Sequence, residues 1–377
     1  MAGVYIHFPF CKQACDYCNF YFSTQMKNKE KILVSIKKEI ELRDFELGEG
    51  CLESIYFGGG SPSLLDADEI ESLIIKIEEK FSFSSKTEIT LEINPDDVTK
   101  EYLEAIKSIG VNRLSIGVQS FLDKDLLLMN RIHSSKQSID SLEIVSKIFD
   151  NYSLDLIYGI PGSTIEDWDS NIVKALEFKP KHFSCYALTI EPKTVLSNRV
   201  KNKKIVLPDD DAIKKQFDHV ISVLGQKNYL HYEVSNFAKP SYMSINNRNY
   251  WLRKPYLGIG PSAHSFDGKS KRSWNISNNN LYLKSIKEGI LPLEDEELSI
   301  RESYNEYIML GLRTFLGVSI RKIENDFGSD YLVYFQKESK KYLKSKLLIW
   351  DEDVIKISSK GKFLSDRIAS DLFKLKD

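Results

Sequence analysis

Six short β-rich runs alternate with amphipathic stretches through the first half of the chain, and this alternation limits the fold more than any other feature. The runs are VYIHF (4–8), SIYF (54–57), EITLEI (88–93), RLSIGV (113–118), LDLIYG (154–159) and HFSCYAL (182–188). Between them, segments such as 29–46 and 66–81 place apolar residues at helical spacing. Strand and helix in turn predict an α/β fold, a parallel sheet with helices outside it. Unusual residues stand just past nearly every run: three cysteines after the first, then GGGSPS, NPDD, QSF, IPGS and TIEP. A site assembled from the C-terminal ends of many strands belongs to a (β/α) barrel, whereas a doubly wound sheet concentrates such loops at one switch point. A full or partial TIM-like (β/α) barrel is therefore predicted.

The first of these loops carries Cys11, Cys15 and Cys18 in the spacing C-x3-C-x2-C. The chain has five cysteines, an odd number, and three within eight positions suit metal ligation in a reducing compartment better than a disulfide framework. Soft thiolates select zinc, copper(I) or iron–sulfur clusters. A structural zinc site needs a fourth ligand, for which His7 is the nearest residue in sequence. A [4Fe–4S] cluster normally takes four cysteines, so three leave one iron open to a ligand from outside the protein. Three cysteines so spaced at the end of the first strand resemble the radical SAM superfamily, in which S-adenosylmethionine (SAM) occupies that iron. Cys51 and Cys185 lack metal-type spacing and read as small buried residues.

With 42% hydrophobic and 28% charged residues and a net charge of -2 over 377 residues, the composition is that of a soluble globular protein without a general attraction to nucleic acid. The segment MAGVYIHFPFCK lacks the basic start and apolar run of a secretory signal, and no stretch reaches the roughly 18 apolar residues of a membrane span. A cytoplasmic protein without an integral membrane segment is expected. Such a length favours one large domain and a smaller one. The alternation fades after about residue 193, and 201–211 reads as a linker into a helix over 212–228. Helical patterns resume near 296, followed by a candidate β-hairpin in WDEDVIKISSKGKFL. The expected division is a barrel core over 1–195, a linker and extension closing it over 196–295, and a small helical, winged-helix-like domain over 296–377.

At the remaining strand ends, the glycines of 58–63 let backbone N–H groups approach a ligand closely. Glu92 is placed to meet an ammonium or a ribose, and Arg131 to neutralise a carboxylate. Gln119 and Asp155 lie at or beyond successive strand ends. Each has an ordinary structural reading when taken singly; together they converge on one barrel mouth.

YIHFPFCKQACDYCNF, YFGGGSPS, LEINPDD, GVNRLSIGVQSF, NRIHS, DLIYGIPGST, YALTIEP, YEVSNFA and NYW…YLGIGPSAHSF together resemble the oxygen-independent coproporphyrinogen III oxidase group of radical SAM proteins, over nearly the whole chain. That group holds the true oxidase, which decarboxylates two propionates of coproporphyrinogen III in haem synthesis, and the HemW branch of haem chaperones. True oxidases carry a fourth cysteine two residues after the third, where this chain has Phe20, and an extension before the first strand, which here begins close to residue 1. The resemblance therefore implies a haem chaperone that handles haem without converting coproporphyrinogen III, with the oxidase as the alternative. It implies a [4Fe–4S] cluster on the three cysteines, SAM, and haem as cargo. SAM contacts would be Tyr5, Tyr17, Gly59, Gly60, Ser61, Glu92, Gln119, Arg131, Asp155, Ala187 and His264, some of which touch a second SAM in the oxidase. The C-terminal domain would be of the type shared by the whole group. Implied partners are an electron donor and haem-accepting proteins, respiratory membrane proteins among them. One departure concerns haem: the branch often carries H-N-x-x-Y-W, and here Asn246 replaces the histidine, an amide being a poor iron ligand. His231, His264 and Cys185 remain as axial candidates.

Overall fold

The computed structural model describes residues 2–43 and 51–375. Each of the six β-rich runs is a strand: β1 (Gly3–Phe8), β2 (Ser54–Gly59), β3 (Glu88–Ile93), β4 (Arg113–Gln119), β5 (Tyr152–Tyr158) and β6 (His182–Ala187). They pair in parallel and in sequence order, with helices in the connections. This is the expected α/β fold with a partial barrel. The sequence does not foresee how the sheet continues at both ends. Beyond β6 come β8 (Asn236–Ala238) and β7 (Leu230–His231); beyond β1 come β9 (Tyr256–Ile259), β10 (His264–Phe266), β11 (Lys271–Asn275) and β12 (Leu293–Glu297). β9 runs parallel to β1, and the outer pairings are antiparallel. The β12 edge carries Glu294, Asp295, Glu296 and Glu297, charges that discourage further strand addition.

The central strands alternate with period two, which positions the site. Ile55 and Phe57, Leu91, Leu114 and Ile116, Leu154 and Leu156, and Phe183 and Cys185 are buried in one continuous apolar core. The residues between them, Tyr56, Glu92, Ser115, Gly117, Asp155 and Ser184, line a cavity. Parallel strands covered by helices on both faces are apolar throughout. Here only one face meets helices and the other is polar.

The expected helix over 29–46 is observed as Lys29–Leu42, residues 44–46 lying outside those described, and that over 66–81 as Ala67–Glu78. Asp66 and Glu69 form a capping box at the start of the latter, as do Ser134 with Gln137 and Thr164 with Asp167 on the helices Ser135–Ile148 and Ile165–Glu177, satisfying amide groups that a helix start would otherwise leave unpaired. The segment read as a linker from 201 is preceded by a short helix, Val195–Lys201, and the next helix spans Asp210–Gln226.

The C-terminal helices Ile300–Arg313, Ile320–Phe327 and Ser329–Lys344 surround a second core that includes Tyr304, Ile308, Ile323 and Phe335. A three-stranded wing completes it: β13 (Val318–Ser319), β14 (Leu348–Asp351) and β15 (Val354–Ile357), in the order β13-β15-β14. This part docks on the larger one through Lys362 to the His231 ring (2.7 Å), Arg313 over Trp251 (5.5 Å) and a bridge between Glu233 and Thr314.

Candidate functional site

Past β1 the chain is tied before it reaches the cysteines. The Ser23 amide donates to Pro9 O and the Cys11 amide to Ser23 O, closing the loop at its base. The loop is held from two segments, 129–130 and Leu196: Asp16 N–H donates to Met129 O, Asn130 Nδ2 to Ala14 O at 2.8 Å, and Leu196 N–H to Asp16 O. The Asp16 carboxylate also meets Arg199 at 2.8 Å. Lys12, between the cysteines, pairs with Asp96 at 2.9 Å and with Asp97, the NPDD carboxylates past β3. The glycine loop is zipped to the same segment by Gly60 N–H to Phe8 O and Ser61 N–H to Phe10 O. A Cβ at Gly60 would lie 2.4 Å from Phe10 O. Gly59 has a φ of 102°, and a Cβ there would strike the His7 ring, so this approach admits only glycine.

Cys11, Cys15 and Cys18 line a cavity of about 510 Å³ over the strand ends. With them stand Tyr17, Gly59, Gly60, Ser61, Glu92, Gln119, Arg131, Asp155 and Ala187. Twelve of the fourteen residues expected at the site thus share one cavity. The other two lie apart from its lining. Tyr5 sits on β1 behind Tyr56, the two rings 5.9 Å apart, and its hydroxyl contacts His7 Nδ1 at 3.2 Å. His264 is exposed on β10 and stacks on Trp274, 5.8 Å between ring centres. Gln119 adopts φ 66° where the β4–β5 register shifts, a conformation unusual for a non-glycine residue that turns the chain off the sheet at the cavity.

Several lining residues escape the strand-end reading: Tyr56, Arg113, Ser115 and Ser184 lie inside the strands, and Asn94 stands just past β3 within NPDD. Tyr56 donates to Glu92 Oε1 at 2.8 Å. Asn94 accepts from Arg131 Nη2 at 2.7 Å and donates to Ser61 Oγ at 3.0 Å. Arg113, 2% exposed, lies on the cavity floor with Asp155, which accepts from Ser115 Oγ at 3.2 Å. The signal that finds them is a polar residue within an apolar run, at the alternate position of a strand: Tyr in SIYF, Ser in RLSIGV and HFSCYAL.

Burial governs the electrostatics. It pushes the Glu92 carboxyl up to about 7, against the hydrogen bond from Tyr56, and raises Asp155 as well. It raises the Cys11 thiol to about 11, with a Ser61 hydrogen bond working the other way. Thiols so placed stay protonated until a metal or nearby cation stabilises the thiolate.

Three cysteines on one loop, open to one cavity beside a guanidinium, fit an iron–sulfur cluster. Among the described residues no three His, Cys, Asp or Glu side chains crowd together as ligands of a single ion. His7, the nearest fourth ligand for zinc, directs Nε2 to Tyr21 O at 2.9 Å and Nδ1 to Tyr5. A cluster of four irons spreads its thiolates more widely than one ion does.

Comparison with known proteins agrees with this geometry. Residues 5–172 match the model of the radical SAM superfamily, and 298–364 that of the HemN C-terminal domain. The chain is 33% identical to a haem chaperone HemW of Bacillus subtilis, covering 98% of each protein, and 34% identical to that of Lactococcus lactis, covering 97% of this chain and 96% of that one. The solved coproporphyrinogen III oxidase (HemN) of Escherichia coli superposes with a TM-score of 0.85 at 23% identity, over 100% of this chain and 90% of that one, a likeness of fold. The chain belongs to the HemW family of radical SAM proteins.

Proposed function

We propose that the protein binds a [4Fe–4S] cluster through Cys11, Cys15 and Cys18, binds SAM in the same cavity, and carries haem for delivery to haem proteins. The observation that carries this reading is the convergence of the cysteines, the glycine loop, Glu92 and Arg131 on one cavity, in a chain similar over its whole length to haem chaperones. When bound and reduced, the cluster supplies one-electron chemistry at the sulfonium of SAM. The protein's own groups would hold SAM: the Gly59–Ser61 backbone would take the methionyl moiety and Glu92 its ammonium. The same reading divides the chain near 195 and 295, with a cytoplasmic address and an electron donor and haem acceptors as partners.

For haem, the fold favours one of the candidates. Cys185 is 2% exposed, and both nitrogens of His231 are engaged, by Lys362 and by Val234 O. His264 presents an exposed ring beside Trp274, and is the axial ligand we assign.

The test is anaerobic reconstitution with iron and sulfide, followed by haem titration and incubation with coproporphyrinogen III and SAM. A Soret band with coproporphyrinogen unchanged supports the chaperone; protoporphyrinogen with methionine release would establish the oxidase instead. Zinc without acid-labile sulfide would sink both.

A further inference from the structure

The Arg131 guanidinium makes contacts that binding a ligand carboxylate does not explain. Nη1 lies 3.3 Å from the Cys15 sulfur. Nη2 donates to Asn94 Oδ1 at 2.7 Å and to Gly117 O at 3.0 Å. These two acceptors, one past β3 and one within β4, fix the plane of the fork and hold Nη1 on the sulfur. Nε is buried without a hydrogen-bond partner. Lys12, the cation within the cysteine loop, is committed to Asp96 and Asp97, so it offers no comparable donor to the sulfur. The Asp16 carboxylate beside Cys15 is likewise taken by Arg199.

We propose that Arg131 is a positioning and tuning residue for the cluster: its N–H donates to the Cys15 thiolate and sets the cluster's reduction potential. This rests on the cluster assignment above and not on haem carriage. Hydrogen bonds to cluster sulfurs, and net charge nearby, are the levers by which a protein sets an iron–sulfur potential. Reduction adds one electron, and so one negative charge, to the cluster. A cation with its N–H aimed at a ligand sulfur stabilises that charge more than it stabilises the oxidised form, so Arg131 raises the potential and eases electron uptake. Arginine suits the role because its planar fork engages sulfur and backbone at once, whereas lysine is a single flexible point charge.

The test uses full-length protein, anaerobically reconstituted, without SAM or haem. Iron and sulfide content, the electron paramagnetic resonance spectrum of the reduced cluster and its midpoint potential are measured for wild type, Arg131→Gln, Arg131→Lys and Asn94→Ala. The expected result is a more negative potential and altered g-values in Arg131→Gln at full cluster content, with smaller shifts in the same direction in the other two. An unchanged potential and spectrum in a fully loaded Arg131→Gln would overturn the proposal while leaving the cluster in place. If that variant fails to fold or load, Arg131→Lys and Asn94→Ala decide together, because the first replaces the fork and the second removes one of its two acceptors: wild-type potentials in both overturn the proposal. A wild type that takes up no iron or sulfide would overturn the cluster assignment itself.

Discussion

The Tyr56 hydroxyl donates to Glu92 at 2.8 Å, from the middle of one strand to the end of the next, and opposes the effect of burial on the carboxyl that faces the cavity. Burial lifts Glu92 from 4.5 to about 7 even with this bond in place, so below neutral pH the carboxyl is largely protonated. Between those values the unfolded chain ionises Glu92 while the folded chain keeps the proton, so this group lowers stability as pH rises from 4.5 to about 7. Glu92→Gln should flatten that part of the stability profile. A cationic ligand favours the carboxylate, so SAM binding at pH 6 should release a proton from Glu92 and tighten as pH rises through 7. Calorimetry in two buffers of different ionisation enthalpy measures the release. Equal apparent enthalpies in wild type, or an unchanged release in Glu92→Gln, would remove Glu92 from the site.

Cys11→Ala, Cys15→Ala and Cys18→Ala should each bring reconstituted iron and sulfide close to background, because a cluster held by three thiolates has none to spare. Cys51→Ala and Cys185→Ala should retain full loading. Cys185 is buried, and its truncation is expected to cost about 1–2 kcal/mol of stability as a small core cavity. Ferrozine and methylene-blue assays on the five variants separate ligands from bystanders.

Much of this architecture was legible in the sequence, for physical reasons that differ by element. The six parallel strands announce themselves as short runs rich in β-branched and aromatic residues between amphipathic helices, and the cysteine loop by its spacing. Strands β9–β12 do not. YLGI and HSF are too short to show a period, and LEDEE reads as a charged loop because an edge strand has little of its surface to bury. Tyr56 and Arg113 passed unremarked because the strand-end rule looks past the strand, and Asn94, just past β3, was read only as part of NPDD. Their importance follows from the polar inner face, which becomes visible only when register aligns Tyr5 with Tyr56 and Glu92 with Ser115. Tyr5 and His264 were drawn in by resemblance, and the fold sets both outside the cavity lining.

The buried pair Glu39–Arg43 anchors the first helix to the far end of the sheet. Glu39 is wholly buried and accepts from Asn275 Nδ2 (2.7 Å), the Tyr282 hydroxyl (2.6 Å) and Gly260 N–H (2.8 Å), besides Arg43 Nη1 (3.3 Å). Glu39→Ala strands these donors and leaves a guanidinium buried without its carboxylate, a loss of about 3–5 kcal/mol. Glu41→Ala, two residues along, breaks only exposed pairs with Lys38 and Lys76 and should cost under about 1 kcal/mol. Denaturant midpoints of the two variants measure the contrast; comparable losses would mean that the buried network holds nothing together.

The position at which the resemblance implies a haem-associated histidine is buried here. Asn246 is 4% exposed at the start of the helix Ile245–Trp251, whose first amide groups, those of Ile245 and Asn246, donate to Glu88. That acceptor is a carboxylate on a helix N-terminus, where it also offsets the helix dipole. The Asn246 side chain accepts from Ser54 Oγ at 3.5 Å and also meets Tyr250, so Asn246→Ala should cost about 1 kcal/mol and leave haem uptake unchanged. His264→Ala, at an exposed ring, should lower haem affinity roughly tenfold, about 1.4 kcal/mol, with cluster content intact. Soret titrations of both variants provide the check. Haem loss in Asn246→Ala at wild-type stability, with His264→Ala binding normally, would reverse the assignment and require the helix at Asn246 to open for haem.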